Sequence, residues 1–174
     1  MPLLVLSVVG SDRPGLTQAL ATAVLAAGGN WLESHLSQLG GLYVGSVLVE
    51  LEAGGVEALR SAVGAVDAHG LEVRIAPAID PPGQAGETLH LTVVGQDRLG
   101  IVSQVTAVLS GLNANIETFK TWITAEPYSG VPLFHMEAHL RLPAGLQAAR
   151  VQAALEDISS EIMVDVSLTV GPSE

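Results

Sequence analysis

The sequence predicts an α+β fold in which the order β-α-β-β-α-β occurs twice. Three observations predict it. The stretch VVGSDRPGLT at residues 8–17 returns as VVGQDRLGIV at residues 93–102. Around each copy, runs of strand-like apolar residues alternate with apolar residues at helical spacing. Between the copies lies APAIDPPGQAGE, residues 76–87, a Pro- and Gly-containing stretch with neither period. The copies align at an offset of 85 residues, which sets Gly10 on Gly95, Asp12 on Asp97, Arg13 on Arg98, Gly15 on Gly100 and Asn30 on Asn115. Asn30 and Asn115 each stand 15 residues past the last junction glycine, so the match outruns one loop and indicates a duplicated module. The expected boundaries are 1–78 for the first module, 79–86 for the linker and 87–174 for the second.

In the first module, LLVLSVV is apolar and rich in β-branched residues, as a buried strand requires. Residues 15–28 place Leu16, Leu20, Val24 and Ala27 on one helical stripe that stops at Gly28-Gly29. WLESHLSQL and LYVGSVLVEL read as strands joined at Gly40-Gly41, a signal for a tight primed turn. VEALRSAVGAVDAHG carries Val56, Leu59, Val63 and Val66 at helical spacing, closes on Gly70, and leads into a short strand, LEVRIAP. The second module repeats the order: LHLTVVG, a helix through Ile101, Val105 and Leu109, NIETFKTWIT, PLFHMEAHLRL, a helix over about 144–159, and MVDVSLTV. Its hairpin loop AEPYSGVP, residues 125–132, is longer than its counterpart. Right-handed crossovers on a four-stranded antiparallel sheet give a ferredoxin-like sandwich with helices on one face. The other face is left for a partner sheet.

Composition narrows the function classes. At 174 residues and 48% hydrophobic content, with only 3% aromatics, the chain suits two small aliphatic cores. It has no cysteine, which excludes disulfides, thiolate metal sites and cysteine nucleophiles and fits a cytoplasmic protein. The opening MPLLVLSVVG has no basic leader and breaks at Gly10, so a first strand is expected and not a signal peptide or anchor. Seven Lys plus Arg against 18 Asp plus Glu give a formal charge of −11, too few cations for a phosphate-neutralising patch. Direct nucleic-acid binding is not expected, and stacking of RNA bases on the sheet is disfavoured by the scarcity of aromatics.

Each junction runs from a strand into a helix. Asp12 and Asp97 are placed to cap that helix by accepting from the amide of residue 15 or 100. Gly15 and Gly100 allow close approach by a strand or a ligand. Helix N-terminal amides attract a carboxylate, which makes the junction a cradle for an amino acid. A capped, glycine-tightened turn without a ligand explains the same residues. Gly10-x-x-x-x-Gly15 lacks the middle glycine of a dinucleotide-binding turn. His135, Glu137 and His139 alternate on one strand face, but such ligands rarely complete a metal site, and a polar sheet face is the preferred reading. His35, His69 and His90 have no companion pattern. With no nucleophile elbow, zinc-ligand pair or phosphate-loop lysine, neither enzyme activity nor a cofactor or metal is expected.

These stretches resemble a known family. VVGSDRPGLTQALATAVLAAGGNWLES and VVGQDRLGIVSQVTAVLSGLNANIETF are similar to the openings of paired ACT domains, and SGVPLFHMEAHLRLPA, residues 129–144, resembles the third strand of the second domain in the glycine cleavage system transcriptional repressor family. The resemblance implies two ACT domains that pair through sheets or helices. It implies an amino acid, glycine or serine-like, held between the first strand-to-helix loop of one module and the start of the second strand of another. Carried onto this chain, the loop positions are Ser11, Asp12, Arg13 and Gly15, with Gln96, Asp97, Arg98 and Gly100 in the second copy. Asn30 and Asn115 are the second-strand positions, and an asparagine offers both an acceptor and a donor to an α-amino acid. Pro14 becomes Leu99 and Trp31 becomes Ile116, so the two sites need not be equivalent. The resemblance further implies a homodimer that acts on a transcription regulator by protein contact. The competing expectation is a ligand-free interaction module.

Overall fold

A computed structural model describes residues 2–52, 54–67, 70–79 and 86–171. Most of the linker expected at 79–86, and His69, lie outside the described residues. The chain divides into two compact units, residues 1–80 and 81–174.

The first unit contains β1 (Leu3–Ser11), α1 (Leu16–Ala26), β2 (Gly29–Leu39), β3 (Leu42–Leu51), α2 (Gly55–Asp67) and β4 (Leu71–Pro77). Its sheet has the order β2-β3-β1-β4, with every neighbouring pair antiparallel. Alternation along the strands decides which face is covered. Leu4, Leu6 and Val8 of β1 and Val47, Val49 and Leu51 of β3 are buried, and they meet Leu16, Leu20 and Val24 of α1 and Leu59, Val63 and Val66 of α2. Gly40 and Gly41 both have positive φ, 60° and 82°, as a primed hairpin turn between antiparallel strands demands.

The second unit contains β5 (Thr88–Gln96), α3 (Ile101–Gly111), β6 (Asn115–Ala125), β7 (Pro132–Arg141), α4 (Ala148–Ile162) and β8 (Val164–Val170), with sheet order β6-β7-β5-β8. Leu89, Leu91 and Val93 of β5 and Phe134, Met136, Ala138 and Leu140 of β7 are buried beneath α3 and α4. Both units therefore have the ferredoxin-like arrangement, with a helical layer over one sheet face.

The observed bounds correct three expectations. Helix α1 occupies 16–26 rather than 15–28. Helix α4 starts four residues late, at Ala148, because Pro143–Leu146 forms a turn in which the Leu146 amide donates to the Pro143 carbonyl and Gly145 takes φ 86°. It then runs on to Ile162 and ends at Met163, which is left-handed at φ 51° and so is a helix cap, not the first residue of the last strand. Strand β4 covers Leu71–Pro77, the strand LEVRIAP as expected, so the stretch read as linker at 76–87 overlaps it by two residues.

The copies differ where their cores are filled. Gly45 in β3 and Met136 in β7 pair with the equivalent valines Val8 and Val93, but Gly45 lies opposite Leu36 while Met136 lies opposite Thr121. Leu36 packs against the first core and Met136 is fully buried in the second. The apolar volume at this layer thus comes from the edge strand in one copy and from the central strand in the other.

Candidate functional site: the duplicated strand-to-helix junction

All ten residues expected at the site are exposed. The junction has nearly the same backbone in both copies: Gly15 has φ 94°, ψ −5°, and Gly100 has φ 96°, ψ −7°. These glycines, not the aspartates, occupy the N-cap positions, and no side chain caps either helix. The expected Asp12 and Asp97 caps are therefore absent. The Asp12 carboxylate instead accepts from Gln38 Nε2 at 2.8 Å, which ties the loop to the β2–β3 hairpin. Thr17 and Tyr43 make a second tie, with their hydroxyls 2.6 Å apart. In the second copy the Asp97 amide donates to the Pro132 carbonyl at 2.9 Å.

The role expected for Gly15 and Gly100 also changes. A Cβ at Gly15 would meet nothing within 4 Å, and one at Gly100 only the end of Gln104. No neighbouring strand approaches them, and what the fold requires of them is a left-handed backbone. Close approach belongs to Gly10 and Gly95, where a Cβ would fall 2.3 Å from the Gly70 carbonyl oxygen and 2.5 Å from the Met163 carbonyl oxygen. The repeated glycines of the motif thus have two separate causes. Gly15→Ala and Gly100→Ala are expected to cost about 1–2 kcal/mol each through the left-handed backbone, measurable by denaturant unfolding, and a null effect would remove this explanation.

Asn30 opens β2 opposite Glu50, which in turn pairs with Leu3 at the start of β1. The junction lies at the other end of β1, beyond Ser11. Eight residues of strand separate Leu3 from Ser11, or ~27 Å. The second copy repeats this: Asn115 pairs with Arg141, Arg141 with Thr88, and the loop begins beyond Gln96. Within one module, then, the loop residues and the asparagine do not meet. Asn115 borders a concavity along α3 that includes Ser103, Thr106 and Ser110.

On β7, Phe134, Met136, Ala138 and Leu140 face the core, as their alternation predicts, and His135, Glu137 and His139 share the opposite face. His135 Nε2 lies 2.7 Å from the Thr124 hydroxyl and His139 Nδ1 lies 2.8 Å from that of Thr118. Among the described residues no three His, Asp or Glu side chains are grouped to hold a metal ion. His90 does have a companion, contrary to expectation. It pairs with His139 across β5 and β7, and their ring centroids are 4.9 Å apart. Sequence separation hid this pair, because only the strand register brings the two together.

The family match comes from the first module. Residues 2–76 match the ACT domain family. The first unit is an ACT domain. The second unit repeats the ACT order and topology, so the protein is a tandem ACT-domain chain. Among solved structures, an unknown protein from Galdieria sulphuraria is 31% identical over 98% of this chain and 99% of its own, with a TM-score of 0.88. A protein to which the role of glycine cleavage system transcriptional repressor is ascribed is 18% identical over 99% of this chain and 98% of its own, with a TM-score of 0.69, a likeness of fold. No curated protein matches the sequence. ACT domains are a regulatory fold, and no helix among the described residues is long and apolar enough to cross a membrane.

Proposed function

We propose that this ACT-domain chain is a non-enzymatic, cytoplasmic regulator that binds a small amino acid between modules and signals by protein contact. The observation that carries the reading is the separation, in both copies, of an exposed junction from an exposed asparagine at opposite ends of the same sheet. A second module placed antiparallel would bring the loop of each to the asparagine of the other. Such two-fold pairing makes two equivalent clefts, as an isologous interface does. Helix amides left without a side-chain cap suit the ligand carboxylate. Asn30 or Asn115 supplies a carbonyl for the ammonium and an amide for the carboxylate. Ser11, Asp12 and Arg13, with Gln96, Asp97 and Arg98, line the loop side, and the likeness of fold to the ascribed glycine cleavage repressor suggests glycine or a serine-like amino acid.

Repression of glycine cleavage genes through a DNA-binding regulator is the specific form of this proposal. It is supported by the likeness of fold to the ascribed repressor. The charge of −11 supports action through another protein, not by direct contact with DNA. Substitution at each end of the module tests the reading. Asn30→Ala with Asn115→Ala, and separately Asp12→Ala with Asp97→Ala, are each expected to weaken glycine or serine binding by about tenfold, a loss of ~1.4 kcal/mol, without unfolding. Loss in the loop variant alone would place the ligand within one module. Unchanged binding in both would favour the ligand-free interaction module.

A further inference from the structure

The second unit carries a polar cavity on the sheet face away from its helices, at the Thr88 end of β5. It is about 730 Å³ in volume, and Thr88, His90, Glu117, Thr118, His139 and Arg141 line it. Two of these side chains are imidazoles on neighbouring strands. His90 and His139 stand directly opposite each other in the β5–β7 register, with ring centroids 4.9 Å apart and planes tilted by 44°. His139 Nδ1 lies 2.8 Å from the Thr118 hydroxyl, which holds that ring and leaves its Nε2 available. Glu117 is the extra residue where β6 shifts register between Ile116 and Thr118, and it accepts from Arg141 Nε at 2.5 Å. A bulge of this kind re-aims a side chain. The ion pair it makes here brings no net charge to the cavity.

The first module has the same strand pairing, with Val5 opposite Leu48 at the positions of His90 and His139. The sheet therefore does not need an imidazole pair there, because two aliphatic side chains serve the same register one module earlier. Elsewhere on the same face, His135 shows an imidazole packed as an aromatic ring. It lies parallel to Trp122, with 4° between the planes, and its Nε2 is 2.7 Å from the Thr124 hydroxyl. His90 and His139 are not stacked in this way. Their spacing suits a shared ion instead. An ion held by two imidazole nitrogens at about 2.0–2.1 Å lies ~3.2 Å from each ring centre, and ligand angles of about 90–110° then set the centres roughly 4.5–5.2 Å apart. The observed 4.9 Å falls inside that interval.

We propose that His90 and His139 form a two-imidazole site for a divalent late transition ion, Zn2+, Ni2+ or Cu2+, which bridges β5 and β7. Neutral imidazole is a preferred ligand of these ions, whereas Mg2+ and Ca2+ take oxygen ligands. Thr118 supplies the outer hydrogen bond that orients a ligating ring. Among the described residues no third His, Asp or Glu completes a set with the pair. Water therefore fills the remaining positions, for which the cavity has room. Such a site is open and exchangeable, unlike the closed four-ligand sites of structural zinc. The inference does not rest on the reading of the junctions, since none of their residues lines the cavity.

Titration of the full, metal-free chain with ZnCl2 and with NiCl2 tests it, read through the nitrogen resonances of isotope-labelled imidazoles. Saturable binding is expected, with the Zn2+ shifts confined to the rings of His90 and His139 and no response to MgCl2. His90→Ala and His139→Ala each weaken binding by at least about tenfold, the loss that even an outer partner of a ligand causes. His135→Ala leaves binding unchanged. His90→Val with His139→Leu installs the first module's own pair, keeps the fold and abolishes binding, which covers the case in which an alanine variant does not fold. The proposal is overturned if neither ion saturates these rings, if binding survives in the variants, if His135→Ala weakens it equally, or if MgCl2 competes. The two rings would then be a cross-strand aromatic pair only.

Discussion

Gly45→Ala is expected to disrupt the first module more than any other single methyl addition within its strands. A Cβ at Gly45 would lie 1.9 Å from the His35 carbonyl oxygen and 2.9 Å from Leu36 Cα, both backbone atoms of the paired strand. No rotamer change relieves such a contact, and Gly45 also has φ 150°, which disfavours a side chain. The β2–β3 ladder would have to separate locally, with a cost on the order of 3 kcal/mol, at the upper end of overpacking effects. The loss should fall on the first unit, and amide exchange resolved by residue would show faster exchange in β2 and β3. Protection unchanged there would mean that the strands give way more easily than this packing implies.

Leu91→Ala is the corresponding experiment for the second unit. Leu91 is completely buried at the middle of β5, between Ala138 of β7 and Leu168 of β8 in strand register. Removing its branched end leaves a cavity that the surrounding strands cannot fill, and burial of this kind costs about 2–5 kcal/mol when lost. Denaturant unfolding followed through Trp122, on β6, reports this unit. A cost below about 1 kcal/mol would show a core that repacks freely, contrary to the close packing expected of protein interiors.

The fold was legible in the sequence for physical reasons. An apolar, β-branched run identified β1, period-two alternation identified the two faces of β7, and Gly40-Gly41 identified the primed turn, because a type I′ turn with positive φ at both positions matches strand twist. The duplication was legible because Gly10 and Gly95, and Gly15 and Gly100, answer the same steric demands in each copy. Other features depend on tertiary pairing. Asp12 looked like a helix cap because its position and chemistry suit one, but Gln38, 26 residues away, takes its carboxylate. The start of α4 was misplaced because Ala144 has high helix propensity while Pro143 and Gly145 enforce a turn first. Glu117 and Arg141 stand 24 residues apart, and no periodicity announces a bulge, so their ion pair emerges only from the strand register.

The candidate site was legible as residues and not as a place. The sequence motif picked out the junctions and the asparagines together, yet each module holds them at opposite ends of a strand. The shared role proposed for them therefore requires a second module. Calorimetric titration of the full chain with glycine and with serine, with its oligomeric state followed in the same samples, tests that purpose most directly. Saturable heat from one of them, lost when Asn30 and Asn115 are replaced and accompanied by a module-paired assembly, is the result expected. Absence of heat from both, or binding by a monomer that is indifferent to the two asparagines, would contradict an amino-acid site built between modules.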